Sequence, residues 1–286
     1  MIPHLSMILQ SLLYGFGDPI SKIAFDEIPV YTLLSCRYGI ALLLLLLMAG
    51  RKIIPAVKKA RIRDWLLPCL CVSFSYVCGN IALTLTAATS VAFLRSLSVV
   101  ITPLLAWAVY HKKLRWKYIP VLLGATLGLY LLCARGGLGN FGTGEIFTLG
   151  AAALMAGSLV FGAKSLERIE PLTLTALQIG VSLIVALIPA LLFENDYRPR
   201  ETSAEAWLIT LYLGILCSLT GFALQNYALS HISARTAALI QCTCPVFTAI
   251  FSFFLLGENL SFLGITGAVL ITISVIASIW LDREKK

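Results

Sequence analysis

NIALTLTAATSVAFLRSLSVVITPLLAWAVYHKKL, residues 80–114, lies without a gap over NYALSHISARTAALIQCTCPVFTAIFSFFLLGENL, residues 226–260, with eight identities in 35 positions. Self-similarity at a fixed offset means that one unit occurs twice. Working outward, Leu12, Gly15, Lys22 and Pro29 fall over Leu154, Gly157, Lys164 and Pro171 at an offset shorter by four residues, so the repeat reaches the start of each half. Both copies are strongly apolar. Apolar residues make up 59% of the chain and charged residues 13%, against about 25% charged in an ordinary soluble domain.

Runs of about 20 apolar residues are long enough to cross a hydrocarbon core about 30 Å thick. They fall near 5–24, 30–50, 65–86, 90–110 and 117–135, then near 145–166, 172–193, 206–229, 235–256 and 262–281. With five spans per copy, the second copy enters the bilayer from the opposite side. The expected fold is therefore an all-α polytopic membrane protein of ten transmembrane helices, arranged as two inverted five-helix repeats around a central cavity. The halves are 1–138 and 139–286, and the glycine-rich segment Arg135–Gly144 joins them. The opening MIPHLSM has no basic leader, and the first run carries Gln10, Asp18 and Lys22, so it reads as a retained span rather than a signal peptide.

Charge sets the expected orientation. About 16 of the 22 Lys and Arg residues lie on the side of the two termini, among them Arg51, Lys52, Lys58, Lys59, Arg61 and Arg63. The positive-inside rule then puts both termini in the cytoplasm of, on this reading, a bacterial plasma membrane. The net charge of +8 is thus topological. These clusters sit beside spans and lack interleaved aromatics, which argues against nucleic acid as a partner. The eight cysteines all fall inside spans and read as small packing residues, while His4, His111 and His231 fall at membrane edges. No metal site or cofactor is expected.

Polar residues inside spans carry the functional reading, because each is costly in hydrocarbon unless it meets water, a partner or a ligand. Gln10, Tyr14, Asp18 and Lys22 recur every fourth residue and form one helical stripe. Pro19, with Gly15 and Gly17, predicts a kink or local break beside Asp18. Ser73, Tyr76, Asn80 and Thr84 form a stripe in span three, and Arg95, Ser98 and Thr102 one in span four. Ser218, Gln225, Asn226, Gln241 and Thr248 occupy comparable places in the second half. The expected substrate-binding residues are Tyr14, Asp18, Tyr76, Asn80, Arg95, Ser98, Gln225, Asn226 and Gln241. Lys22, Arg37 and Lys164 are expected as gating or structural charges, with Arg37 near the outer interface, where it can snorkel. Two bland alternatives stand beside this: an Asp18–Lys22 pair along one helix, and an Asp18–Arg95 structural pair. Gly124 and Gly128, with Gly264 and Gly267, mark spans five and ten as close-packing helices, either between halves or in a possible homodimer.

LLYGFGDPISKIAFDEIPVYTLLSCRYGIALLLLL and CPVFTAIFSFFLLGENLSFLGITG resemble the opening and closing spans of EamA-type members of the drug/metabolite transporter superfamily, with Lys22 and Arg37 at positions of the family pattern. The resemblance implies ten helices in two inverted halves. The cavity would be lined by spans one, three, four, six, eight and nine, with spans five and ten behind. Asp18, Arg95 and His111-Lys112 depart from the pattern. An acid and a base facing one cavity suit a zwitterion such as an amino acid, or an anionic metabolite, moved by alternating access and exported. The competing classes are a channel and an intramembrane aspartyl-type enzyme suggested by Gly15-Phe16-Gly17-Asp18. The enzyme would need a second carboxylate close to Asp18, but no second Asp sits inside a span and Glu145, Glu167 and Glu258 lie near span ends.

Overall fold

The computed structural model describes residues 2–111, 116–133, 142–257 and 262–283, and among them the chain is helical without strands. Residues 135–141 of the expected linker Arg135–Gly144 lie outside the described residues, as do Lys112 and Glu258, while Thr143 and Gly144 already belong to a helix. The first half contains α1 (Ile2–Ala24), α2 (Val30–Lys59), α3 (Ile62–Leu85), α4 (Ala88–Ser96), α5 (Ser98–Tyr110) and α6 (Ile119–Cys133). The second contains α7 (Thr143–Ser165), α8 (Pro171–Phe193), α9 (Ala204–Tyr212), a π-helical segment Leu213–Thr220, α10 (Gly221–Leu229), α11 (Ala234–Gln241), α12 (Cys244–Leu256) and α13 (Phe262–Arg283). Helices satisfy their own backbone polar groups, which hydrocarbon cannot do for them.

Among the described residues seven stretches are long and apolar enough to cross a membrane: α2, α3, α4 with α5, α7, α8, α9 through α10, and α11 with α12. α1 is 23 residues long, but its buried side chains include Ser6, Gln10, Ser11, Asp18 and Ser21. α6 and α13 hold shorter apolar stretches.

The two breaks inside apolar runs obey the sequence repeat. α4 gives way to α5 at Leu97, and α11 gives way to α12 at Cys242 and Thr243. Leu97 and Thr243 are separated by the repeat offset. α5 and α12 are both 13 residues long, and each ends in a left-handed residue, His111 (φ 50°) and Gly257 (φ 68°). A break expected at Pro19 is not found, since α1 runs uninterrupted through it. Its glycines serve packing instead. A Cβ on Gly15 would collide with Phe247 of α12, and one on Gly17 would lie 2.8 Å from Cys217 Sγ.

α6 and α13 pack on each other. A Cβ on Gly128 would stand 2.8 Å from the Gly267 carbonyl, and one on Gly124 would stand 2.7 Å from Ser274 Oγ. The small-residue faces of the two halves are therefore spent on contact within the chain. One apolar core gathers Leu33, Leu34 and Tyr38 of α2 with Ile179 of α8 and Phe222 of α10. A second joins Met7 of α1 and Leu129 of α6 to Leu239, Ile240 and Ile271 of the second half.

Candidate functional site

α1 runs between the halves and presents its polar stripe inward, where it forms one wall of two adjoining cavities. The first is open at its mouth and is lined by Gln10, Tyr14, Tyr76, Arg95, Ser98 and Gln241, with Met155 and Cys244 among its other residues. Ser96 and Ser98 flank the α4–α5 break, and Gln241 and Cys244 flank the α11–α12 break, so both interrupted helices open onto the same space. The second, narrower cavity is lined by Asp18, Ser21, Arg37, Asn80, Leu213 and Cys217 among others. Tyr14, Tyr76 and Arg95 line both.

The charge on α1 is resolved by tertiary contact. Asp18 accepts a charge-assisted hydrogen bond from Arg95 Nη2, and both side chains are 12% exposed. Lys22 lies one turn beyond Asp18 and donates instead to the Thr86 carbonyl at 3.2 Å. The alternative in which Asp18 pairs with Lys22 gives way to the pair between α1 and α4. Arg37 does not snorkel. It is 3% exposed, with Nε donating to Ser218 Oγ at 2.8 Å and its guanidinium over the rings of Tyr38 and Tyr76 at 5.5 and 5.7 Å.

Amide side chains make a polar junction behind the first cavity, whose lining includes Gln10 and Gln241 but not the buried Gln225. Gln225 Oε1 accepts from Gln10 Nε2 at 3.2 Å and from Gln241 Nε2 at 3.0 Å, linking α10 to α1 and α11. Asn226 is drawn elsewhere, although it is the repeat partner of Asn80. It donates to Thr175 at 2.9 Å and Gln178 at 2.7 Å, closing α10 onto α8. Asn80 lines the second cavity and donates to its own helix at the Tyr76 carbonyl, 2.8 Å. Lys164 meets Glu167 at 2.6 Å on an exposed edge. Thr84, in the span-three stripe, is also exposed.

The packing reading of the cysteines is incomplete, because Cys217 and Cys244 line the cavities; both are free thiols. Ser96 and Met155 are further lining residues that the polar stripes did not select. For Ser96 the signal was its place beside Arg95. Met155 carried none, since an apolar residue in an apolar run has no contrast.

Polar clips join the halves at the end carrying the α1–α2 loop. Glu27 accepts from the Ser203 backbone at 2.6 Å and its hydroxyl at 2.8 Å. Glu194 caps α2 through Tyr31 N at 3.0 Å and Thr32 N at 2.7 Å. Thr86 donates to Glu145 at 2.9 Å. The opposite end is joined through Arg168 to Asp64 at 2.7 Å and by an exposed Lys52–Glu170 pair at 3.5 Å. Glu27 is held below the usual carboxylate range by the Ser203 hydrogen bonds, which favour its charged form.

Apolar helices of membrane-spanning length that turn polar and charged side chains inward on a cavity define an integral membrane protein of the transporter class. The model of the EamA-like transporter family matches residues 1–134 and again residues 142–280, and the chain belongs to that family. An uncharacterized transporter of Archaeoglobus fulgidus is 27% identical, the alignment covering 99% of this chain and 98% of that protein. A protein of Streptantibioticus cattleyicolor named "Probable terminal-alkyne amino-acid exporter" is 25% identical over 93% of this chain and 89% of its own length. A solved crystal structure superposes with a TM-score of 0.78, covering 98% of this chain and 97% of that one at 15% identity, a likeness of fold alone. With its family and relatives named as transporters, the chain is a transporter and not an enzyme.

Proposed function

We propose that the chain is a secondary transporter that exports a small polar metabolite, an amino acid or another zwitterionic or anionic molecule, by alternating access. In this reading ten helices form two inverted five-helix repeats, residues 1–138 and 139–286, in a bacterial plasma membrane with both termini cytoplasmic. The observation that carries it is the buried Asp18–Arg95 pair, whose arginine lines the cavity that both interrupted helices face. Discontinuous helices at a repeat interface are a recurrent way to build a site that opens to each side in turn. The double family match and the shared offset of the two breaks support the repeat. The excess of basic residues beside the termini supports the orientation, and the name of the amino-acid exporter supports the substrate class.

Substrate contact is assigned to Tyr14, Asp18, Tyr76, Asn80, Arg95, Ser98, Gln225 and Gln241. Asn226 and Lys164 act as structural groups in this reading, through their bonds to α8 and to Glu167. Counterflow tests the mechanism. Proteoliposomes preloaded with an unlabelled neutral amino acid should transiently accumulate the labelled form, saturably and without an ion gradient. Unsaturable flux or steady conductance would identify a channel.

A further inference from the structure

We infer that Arg37 is an anion-recognition residue, and that the second cavity receives the carboxylate or another singly charged anionic end of the transported molecule. The inference rests on the transport reading above and sharpens its substrate class.

Arg37 is 3% exposed, and an arginine side chain keeps its proton inside a protein. Among the described residues its hydrogen bond goes to a neutral group, with Nε donating to the hydroxyl of Ser218. Two tyrosine faces compensate the charge in part. Among the described residues no carboxylate stands within 4.0 Å of the guanidinium. Asp18 shares the cavity, but Arg95 engages it. One carboxylate against two guanidiniums leaves the lining with one net positive charge. A buried cation in that position is costly until an anion arrives.

The surrounding geometry suits a planar acceptor. With Nε on Ser218, the two terminal nitrogens remain for a paired contact, the geometry in which guanidinium meets carboxylate. The Tyr14 hydroxyl lies buried beside Tyr76 and Gln10 and lines the same cavity, which puts a further polar group on its wall. Ser218 belongs to the π-helical segment Leu213–Thr220, and a Cβ on Gly214 in that segment would stand 3.0 Å from the Arg37 carbonyl. The repeat-related stretch 67–74 lies in the unbroken helix α3. The π segment is thus peculiar to the half that faces Arg37, and such segments concentrate at functional sites.

Acetate and acetamide, matched in shape and differing in charge, test the assignment on the purified full-length protein. Thermal unfolding is followed as each is titrated, with ionic strength held by a bulky sulfonate buffer. Acetate should raise Tm saturably and acetamide should not. Arg37→Gln should raise the half-saturating acetate concentration by at least about tenfold, because a charge-assisted paired contact is lost. Arg37→Lys should weaken it by less, and it carries the test if the glutamine variant does not fold. Equal responses to acetate and acetamide, or an unchanged acetate response in the folded variants, would overturn the inference. Absent counterflow with an intact acetate response removes the transport reading and leaves the anion site. Intact counterflow without an acetate response does the reverse.

Discussion

Asp18 and Arg95 depend on each other in a way that two substitutions can separate. Asp18→Asn alone leaves a guanidinium facing a neutral amide, and removing one partner of a buried pair costs about 3–5 kcal/mol. The cavity keeps both side chains 12% exposed, which puts the expected loss at the lower end. Adding Arg95→Gln should recover part of it, and a double-mutant cycle from thermal unfolding in detergent measures the coupling. Additive losses would mean that the pair is not coupled. His111 offers the opposite case, a left-handed residue with a Cβ where the second half has Gly257. His111→Gly should therefore stabilise by roughly 0.5–1 kcal/mol, while Gly257→Ala should lose about 1 kcal/mol, both read as shifts in Tm.

At the scale of elements, the glycines of α6 and α13 decide how the halves meet. Gly128→Ala places a methyl group against the Gly267 carbonyl and the Ile271 amide, and neither backbone atom can yield. A loss of about 1–3 kcal/mol is expected from such overpacking. Gly150→Ala in α7 meets nothing within 4 Å and should be neutral or slightly stabilising, since alanine is the better helix former. Equal effects on thermal stability would argue against close packing of α6 on α13. The loop clip at Glu27 responds to pH. The Ser203 hydrogen bonds hold its pKa in the fold below the usual carboxylate value, so its contribution is complete above that usual value and is lost as pH falls through the folded pKa. Hydrogen exchange at the Ser203 amide should accelerate over that acid range. Glu27→Gln should show the faster exchange at neutral pH and no acid step.

Across the whole molecule, alternating access requires that a residue between the halves change its exposure during transport. In a chain whose native cysteines have been replaced, Ser98→Cys and Asn80→Cys should react with impermeant thiol reagents from opposite sides by turns as substrate is cycled. Constant reactivity from both sides would favour an open pore. The apolar runs, the repeat and the family resemblance were legible in residue types alone, because hydrocarbon demands long apolar helices and a duplicated unit keeps its spacing. The stripe on α1 was legible for the same reason, since helical periodicity puts Gln10, Tyr14, Asp18 and Lys22 on one face. Which partner each of them meets was not legible. Asp18 had a local cation one turn away in Lys22 and a distant one in Arg95, and only the packing of α4 against α1 chose between them. Asn80 and Asn226 occupy equivalent places in the repeat, yet α8 claims the second and the cavity the first. Arg37 read as an interfacial charge until the π-helical turn opposite buried it. The sequence by itself determined helices, repeat and polar faces, which depend on neighbours along the chain. Only the tertiary structure decided pairing, burial and the location of uncompensated charge, because those depend on which helices touch.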